Sequence, residues 1–142
     1  MTFNNLHHKF DHLIEKILQT CTQTEVRTFL YSNAKTFVDR YSDLYSQEFT
    51  QKFNSDNLEG ISEIAIQERD RIDHKSNSEE LTNESDALLD RLELAGIATE
   101  MASYLDSSPL NPNDLFNYVY CWGVFEDDTS IIEKLNTLAT KP

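Results

Sequence analysis

Apolar residues in this chain recur at intervals of three and four, the period of a helix that buries one face. Leu6, Phe10, Leu13, Ile14, Ile17 and Leu18 place a first helix over about residues 4–20. Thr22-Gln-Thr-Glu25 then has the form of a capping box, in which Thr22 accepts from the amide of Glu25 and Glu25 reaches back. The stripe that follows is Val26, Phe29, Leu30, Ala34, Phe37, Val38, Tyr41, Leu44, Tyr45, Phe49 and Phe53. A single helix over that stretch would be about 45 Å long, more than the width of a compact domain of this size. A long second helix that kinks near Asn33 or Ser42, or protrudes, is therefore expected.

Asp56-Asn57-Leu58-Glu59 reads as a third helix start, with Ile61, Ile64, Ala65 and Ile72 inward up to about His74. The polar stretch His74 to Ser78 predicts a loop. A fourth helix follows over about residues 79–105, with Leu81, Leu88, Leu92, Ala95 and Ala102 on one side. Gly96 weakens it locally by about 1 kcal/mol. Asn111-Pro112 pairs a favoured N-cap with proline at the first helical position, so a fifth helix runs to about Phe125. Its apolar residues go all the way round, which places it centrally or at an interface. Asp127, Asp128 and Ser130 start a short sixth helix with Ile131, Ile132, Leu135 and Leu138 inward. The expectation is an all-α, single-domain bundle of five or six helices spanning residues 1–142.

At 142 residues the chain is long enough to bury a core without disulfide or metal staples. Two cysteines, Cys21 and Cys121, are too few for a secreted disulfide framework. The N-terminus, interrupted by His7, His8, Lys9, Asp11 and His12, lacks the apolar run of a signal peptide, and no segment has the apolar length of a membrane span. A soluble, cytoplasmic protein with no membrane partner is expected.

Charge changes the picture more than composition does. Residues 1–55 hold six acids and six bases, residues 56–106 fourteen acids and four bases, and residues 107–142 five acids and two bases. Most of the net charge of −13 thus sits in one block. Such a field repels phosphate backbones and attracts basic surfaces. Basic patches with interleaved aromatics are absent, so direct nucleic-acid binding is not expected.

Rotating about 100° per residue along the fourth helix puts Asp86, Asp90, Glu93 and Glu100 on one outward stripe, with Ile97 among them. An apolar anchor ringed by carboxylates suits a basic protein partner, because the apolar centre supplies affinity and the charges steer encounter. Trp122, Phe125, Glu126, Asp127 and Asp128 form a second aromatic and acidic patch, although a lone tryptophan also suits a core and the acids also suit a helix start. The aromatic stripe of the second helix offers a route to a homodimer.

His8 and His12, four apart with Glu15 nearby, have a spacing that suits zinc, but no Cys or His cluster elsewhere completes a site. Asp70 with Asp73, and Asp90 with Glu93, form two acid pairs three residues apart. The pairs loosely resemble those of the all-α nucleotide pyrophosphohydrolases, whose E-x-x-E and E-x-x-D motifs hold magnesium against substrate phosphates. The resemblance covers four residues, without glutamate at three of the expected positions. It implies a metal-dependent hydrolase of phosphorylated small molecules. A loop centred near residue 77 would leave the pairs about 14 Å out of register along the axis. No nucleophile elbow is present, and Gly60, Gly96 and Gly123 are too far apart for a phosphate loop. The residues therefore point away from an enzyme and imply no cofactor. The expectation is an acidic inhibitor or immunity-type protein that occludes a basic, nuclease or other nucleic-acid-binding site, as a mimic of nucleic acid.

Overall fold

The computed structural model of the chain describes residues 2–76, 86–107 and 109–140. Among these, all regular structure is helical: α1 (Thr2–Thr20), α2 (Gln23–Val38), a 3-10 segment (Asp39–Leu44), α3 (Gln47–Phe53), α4 (Ile61–Ser76), α5 (Asp86–Ala102), α6 (Pro112–Trp122) and α7 (Asp128–Ala139). The all-helical class agrees with the apolar periodicity. The number of helices exceeds the expected five or six because the long second helix is interrupted.

The interruption has a local cause. Tyr41 leaves helical geometry at φ −120°, ψ 24°, and Tyr45 is extended. Ser46 then opens α3, its side chain accepting from the Phe49 amide at 3.3 Å. The aromatic stripe continues across the break: Phe37, Tyr41, Phe49 and Phe53 are all buried. Helical phase in the sequence thus survives the break, which falls at the kink expected near Ser42.

No helix among the described residues is long and apolar enough to cross a membrane. The chain divides into two compact units, Met1–Leu30 with Ser107–Pro142, and Tyr31–Asp106. The division falls within α2.

In the first unit α1 packs against α6 and α7. Ile14 and Ile17 of α1, Leu115, Tyr118, Val119 and Trp122 of α6, and Ile131, Leu135 and Leu138 of α7 are buried. The Trp122 ring meets Tyr118 edge-on at 6.2 Å and Phe29 at 6.0 Å. Caps fix the helix starts. Thr22 and Glu25 form the expected reciprocal box at 2.8 and 3.1 Å. Asn111 accepts from the Asp114 amide at 2.9 Å, and Asp127 from the Ser130 amide at 2.8 Å.

In the second unit α4 packs on α5, α3 on α4, and the 3-10 segment on α5. Two contacts show that α4 and α5 run antiparallel: the Gly60 amide, just before α4, donates to Asp106 at 2.9 Å, and Arg69 lies against Gly96. Gly60 has φ +88°, a turn conformation that holds the start of α4 back to Ile61 instead of Asp56. Ile61, Ala65, Glu68 and Ile72 share the buried face of α4, whereas Ile64 is half-buried and Ile66 is 53% exposed. Leu92, Ala95, Ala98, Met101 and Ala102 of α5 complete this core. α4 extends through Ser76, beyond the expected end near His74; the remainder of the predicted loop and the start of the fourth helix lie outside the described residues.

Candidate functional site

The acidic block of the sequence coincides with one unit. Residues 31–106 hold seventeen acids and seven bases, a net −10, which leaves −3 for the rest of the chain. Three of its four arginines are paired with acids of the same unit, while Arg40 is exposed and lies over the Phe37 ring at 5.0 Å. Arg71 donates to Glu68 at 2.8 and 3.3 Å and to the Leu44 carbonyl at 2.8 Å. Arg91 makes a forked contact with Asp43 at 2.8 and 3.1 Å, and its guanidinium holds the Asp43 carboxyl below its ordinary range. Arg69 donates to Asp73 at 3.2 Å and approaches Glu100 at 3.8 Å.

Six carboxylates in the 56–106 block therefore face solvent with no ion-pair partner among the described residues: Asp56, Glu59, Glu63, Asp70, Asp90 and Glu93. Glu63 and Asp70 lie on α4 and Asp90 and Glu93 on α5, while Asp56 and Glu59 precede α4. Of the stripe expected on α5, Asp90 and Glu93 are exposed and available. Ile97 is half-buried, and Glu100, also half-buried, is engaged by Arg69. Asp86 begins the helix, and its side chain lies outside what the structure describes. The more exposed isoleucine is Ile66 on α4, one turn from both Glu63 and Asp70. The apolar periodicity sets Ile61, Ile64 and Ile72 inward and assigns no face to Ile66.

Glu68 is the buried member of the acidic set, 4% exposed. One oxygen accepts from the Ser46 amide and the other from the Ser46 hydroxyl, each at 2.7 Å. Burial pushes its carboxyl up, but the Arg71 guanidinium and the two Ser46 donors outweigh this and hold it below the ordinary value. Ser46, Glu48, Ile64, Gln67, Glu68 and Arg71 line a depression of about 210 Å³. Both oxygens of its buried carboxylate are committed to Ser46 and Arg71, which makes it a structural joint between the 3-10 segment, α3 and α4.

The second expected patch is rearranged by burial. Trp122 is fully buried, so a surface partner does not reach it; its ring belongs to the core. Its indole nitrogen donates to Glu126 at 3.0 Å, and Glu126 also accepts from Ser130 at 2.6 Å and from Lys134 at 2.8 Å. Burial raises the Glu126 carboxyl, and these donors more than reverse the effect. Phe125 is half-buried. Only Asp127, the cap of α7, and Asp128 remain on the surface. The exposed aromatic of this region is Tyr120, 68% accessible, on the opposite side of α6 from the buried Trp122 ring.

The acid pairs of α4 and α5 stand differently from the sequence expectation. The antiparallel register brings Asp73 level with Leu92 and Glu93, so the expected axial offset does not occur. The pairs still do not converge: among the described residues no three His, Cys, Asp or Glu side chains are grouped so as to hold a metal ion. Asp70 points to solvent, and Asp73 is engaged by Arg69, a cation already between α4 and α5. His12 and Glu15 are exposed on α1, and the His8 side chain lies outside what is described. The stripe expected to serve self-association is buried in the chain's own cores, from Val26 and Leu30 to Phe49 and Phe53. No protein-family model matches the chain, and neither a curated protein nor a solved structure shows significant similarity to it.

Proposed function

We propose that the protein is a binding module without catalytic chemistry, an inhibitor or immunity-type protein whose acidic surface occupies a basic site on another protein. The observation that carries this reading is the set of six exposed carboxylates with no ion-pair partner among the described residues, on a unit of net charge −10 in which Arg69, Arg71 and Arg91 are paired with other acids. Such a surface steers a basic partner by long-range attraction and repels nucleic acid. The partner's natural ligand would then be a polyanion, and the mechanism occlusion: Asp90 and Glu93 on α5, with Glu63 and Asp70 on α4, take the places of phosphates. Ile66 and the half-buried Ile97 supply the apolar contact that charge alone lacks.

The test is retention of protein from a lysate of the source cell on the immobilised chain, eluted by rising salt, beside an Asp90→Lys, Glu93→Lys variant. A basic protein held by the parent alone and released as salt rises supports the proposal. Retention that is equal on both, or insensitive to salt, overturns it.

A further inference from the structure

Beyond the acidic unit, α6 and the turn that follows it carry a surface of a different kind. Asn113, Asn117, Tyr120 and Val124 recur at intervals of four, three and four, and all four are exposed. Tyr120 of α6 is 68% accessible and Val124, in the turn that follows the end of α6 at Trp122, is 49% accessible, whereas Leu115, Tyr118, Val119 and Trp122 of α6 are buried. Isolated exposed apolar residues are ordinary. Two exposed residues four apart in the chain, one of them a tyrosine, with amides continuing the exposed stripe back along α6, form an amphipathic surface of the kind found at interfaces.

Charge selects the occupant. From Ser107 to Glu133 the chain has five acids and no Lys or Arg, and Asp127 and Asp128, three and four residues beyond Val124, are exposed. A second copy would set these acids against their own duplicates, on chains of −13 each. We infer that the surface formed by Tyr120 of α6 and Val124 of the turn after it docks a basic amphipathic segment of a partner protein, its apolar side chains on Tyr120 and Val124 and its Lys or Arg toward Asp127 and Asp128. The inference makes no use of the carboxylates of residues 31–106 and stands or falls separately from the function proposed for them.

The test uses a synthetic helical peptide of leucine and lysine, beside one of the same pattern with glutamate for lysine. Amide shifts of the full chain map the contact, and titration gives the affinity. The lysine peptide is expected to move the Tyr120 and Val124 signals. Tyr120→Ser with Val124→Ser should weaken it at least about tenfold. Asp90→Lys with Glu93→Lys should change it less than about threefold. Both replaced side chains in the serine variant are exposed, and helical circular dichroism confirms that it folds. Equal affinity of the serine variant, shifts confined to α4 and α5, or equal binding of the glutamate peptide would each overturn the inference. So would a dimer of the chain that dissociates on replacement of Tyr120, because the occupant would then be a second copy.

Discussion

Glu68 holds both the amide and the hydroxyl of Ser46, at 2.7 Å each, and through them fixes the point where the 3-10 segment ends and α3 begins. The carboxyl is held below its ordinary value of 4.5, so the unfolded chain binds the proton more readily than the folded one. Its stabilisation is therefore fully present above that ordinary value and is lost as pH falls through the folded one. Glu68→Gln is expected to cost about 2 kcal/mol at neutral pH, the order of a hydrogen-bonded charge in a buried setting. Denaturant melts of parent and variant should converge as pH falls below the ordinary Glu68 value and through the folded one. A gap that stays constant with pH would show that the charge on Glu68 is not what holds Ser46.

Gly96 of α5 lies beneath Arg69 of α4. A β-carbon there would stand 3.1 Å from the Arg69 Cδ. Alanine gains about 1 kcal/mol of helix propensity and asks only that a flexible, partly exposed arginine shift. The ion pairs Arg69 would loosen are of the surface kind, about 0–1 kcal/mol each. Gly96→Ala is therefore expected to be neutral or slightly stabilising in a thermal melt. A loss above about 2 kcal/mol would show instead that Arg69 is locked in place.

Asp127 caps α7 through the Ser130 amide. Asp127→Ala should cost about 1 kcal/mol, whereas Asp127→Asn, an equally good cap, should cost little. Equal losses in the two variants would assign the effect to charge rather than to the cap.

Magnesium separates the binding reading from the hydrolase that the acid pairs resemble. A ligand of the folded state raises the melting temperature. Because Asp70, Asp73, Asp90 and Glu93 do not gather, millimolar magnesium is expected to leave the melting temperature of the parent and of Asp90→Asn equal. A rise in the parent that Asp90→Asn abolishes would restore the hydrolase.

Much of this architecture was legible in the chain because caps and periodicity are local. The Thr22/Glu25 box, the Asn111-Pro112 start and the Asp127 cap all form as their residue types dictate. The excess length of the second helix points to a kink near Asn33 or Ser42, and the break at Asp39–Leu44 falls at the second of these; periodicity alone does not choose between them, because Phe37, Tyr41, Phe49 and Phe53 keep helical phase through it. Glu68 was hidden: it falls in phase with Ile61, Ala65 and Ile72, but a carboxylate at an inward position is read as polar surface until its donors are seen. The surface followed the same logic. Regional charge was plain from composition, while the division of acids into paired and unpaired depends on where Arg69, Arg71 and Arg91 reach in three dimensions.

The association rate of the chain with a basic protein recovered by the salt-eluted retention, followed from about 20 to about 500 mM salt, tests the proposal most directly. The parent's rate should fall steeply with salt, and Asp90→Lys with Glu93→Lys should slow association at low salt by about tenfold or more and flatten the salt dependence. A double variant with the parent's rate and the parent's salt slope would contradict the assignment of the acidic faces of α4 and α5 as the binding surface.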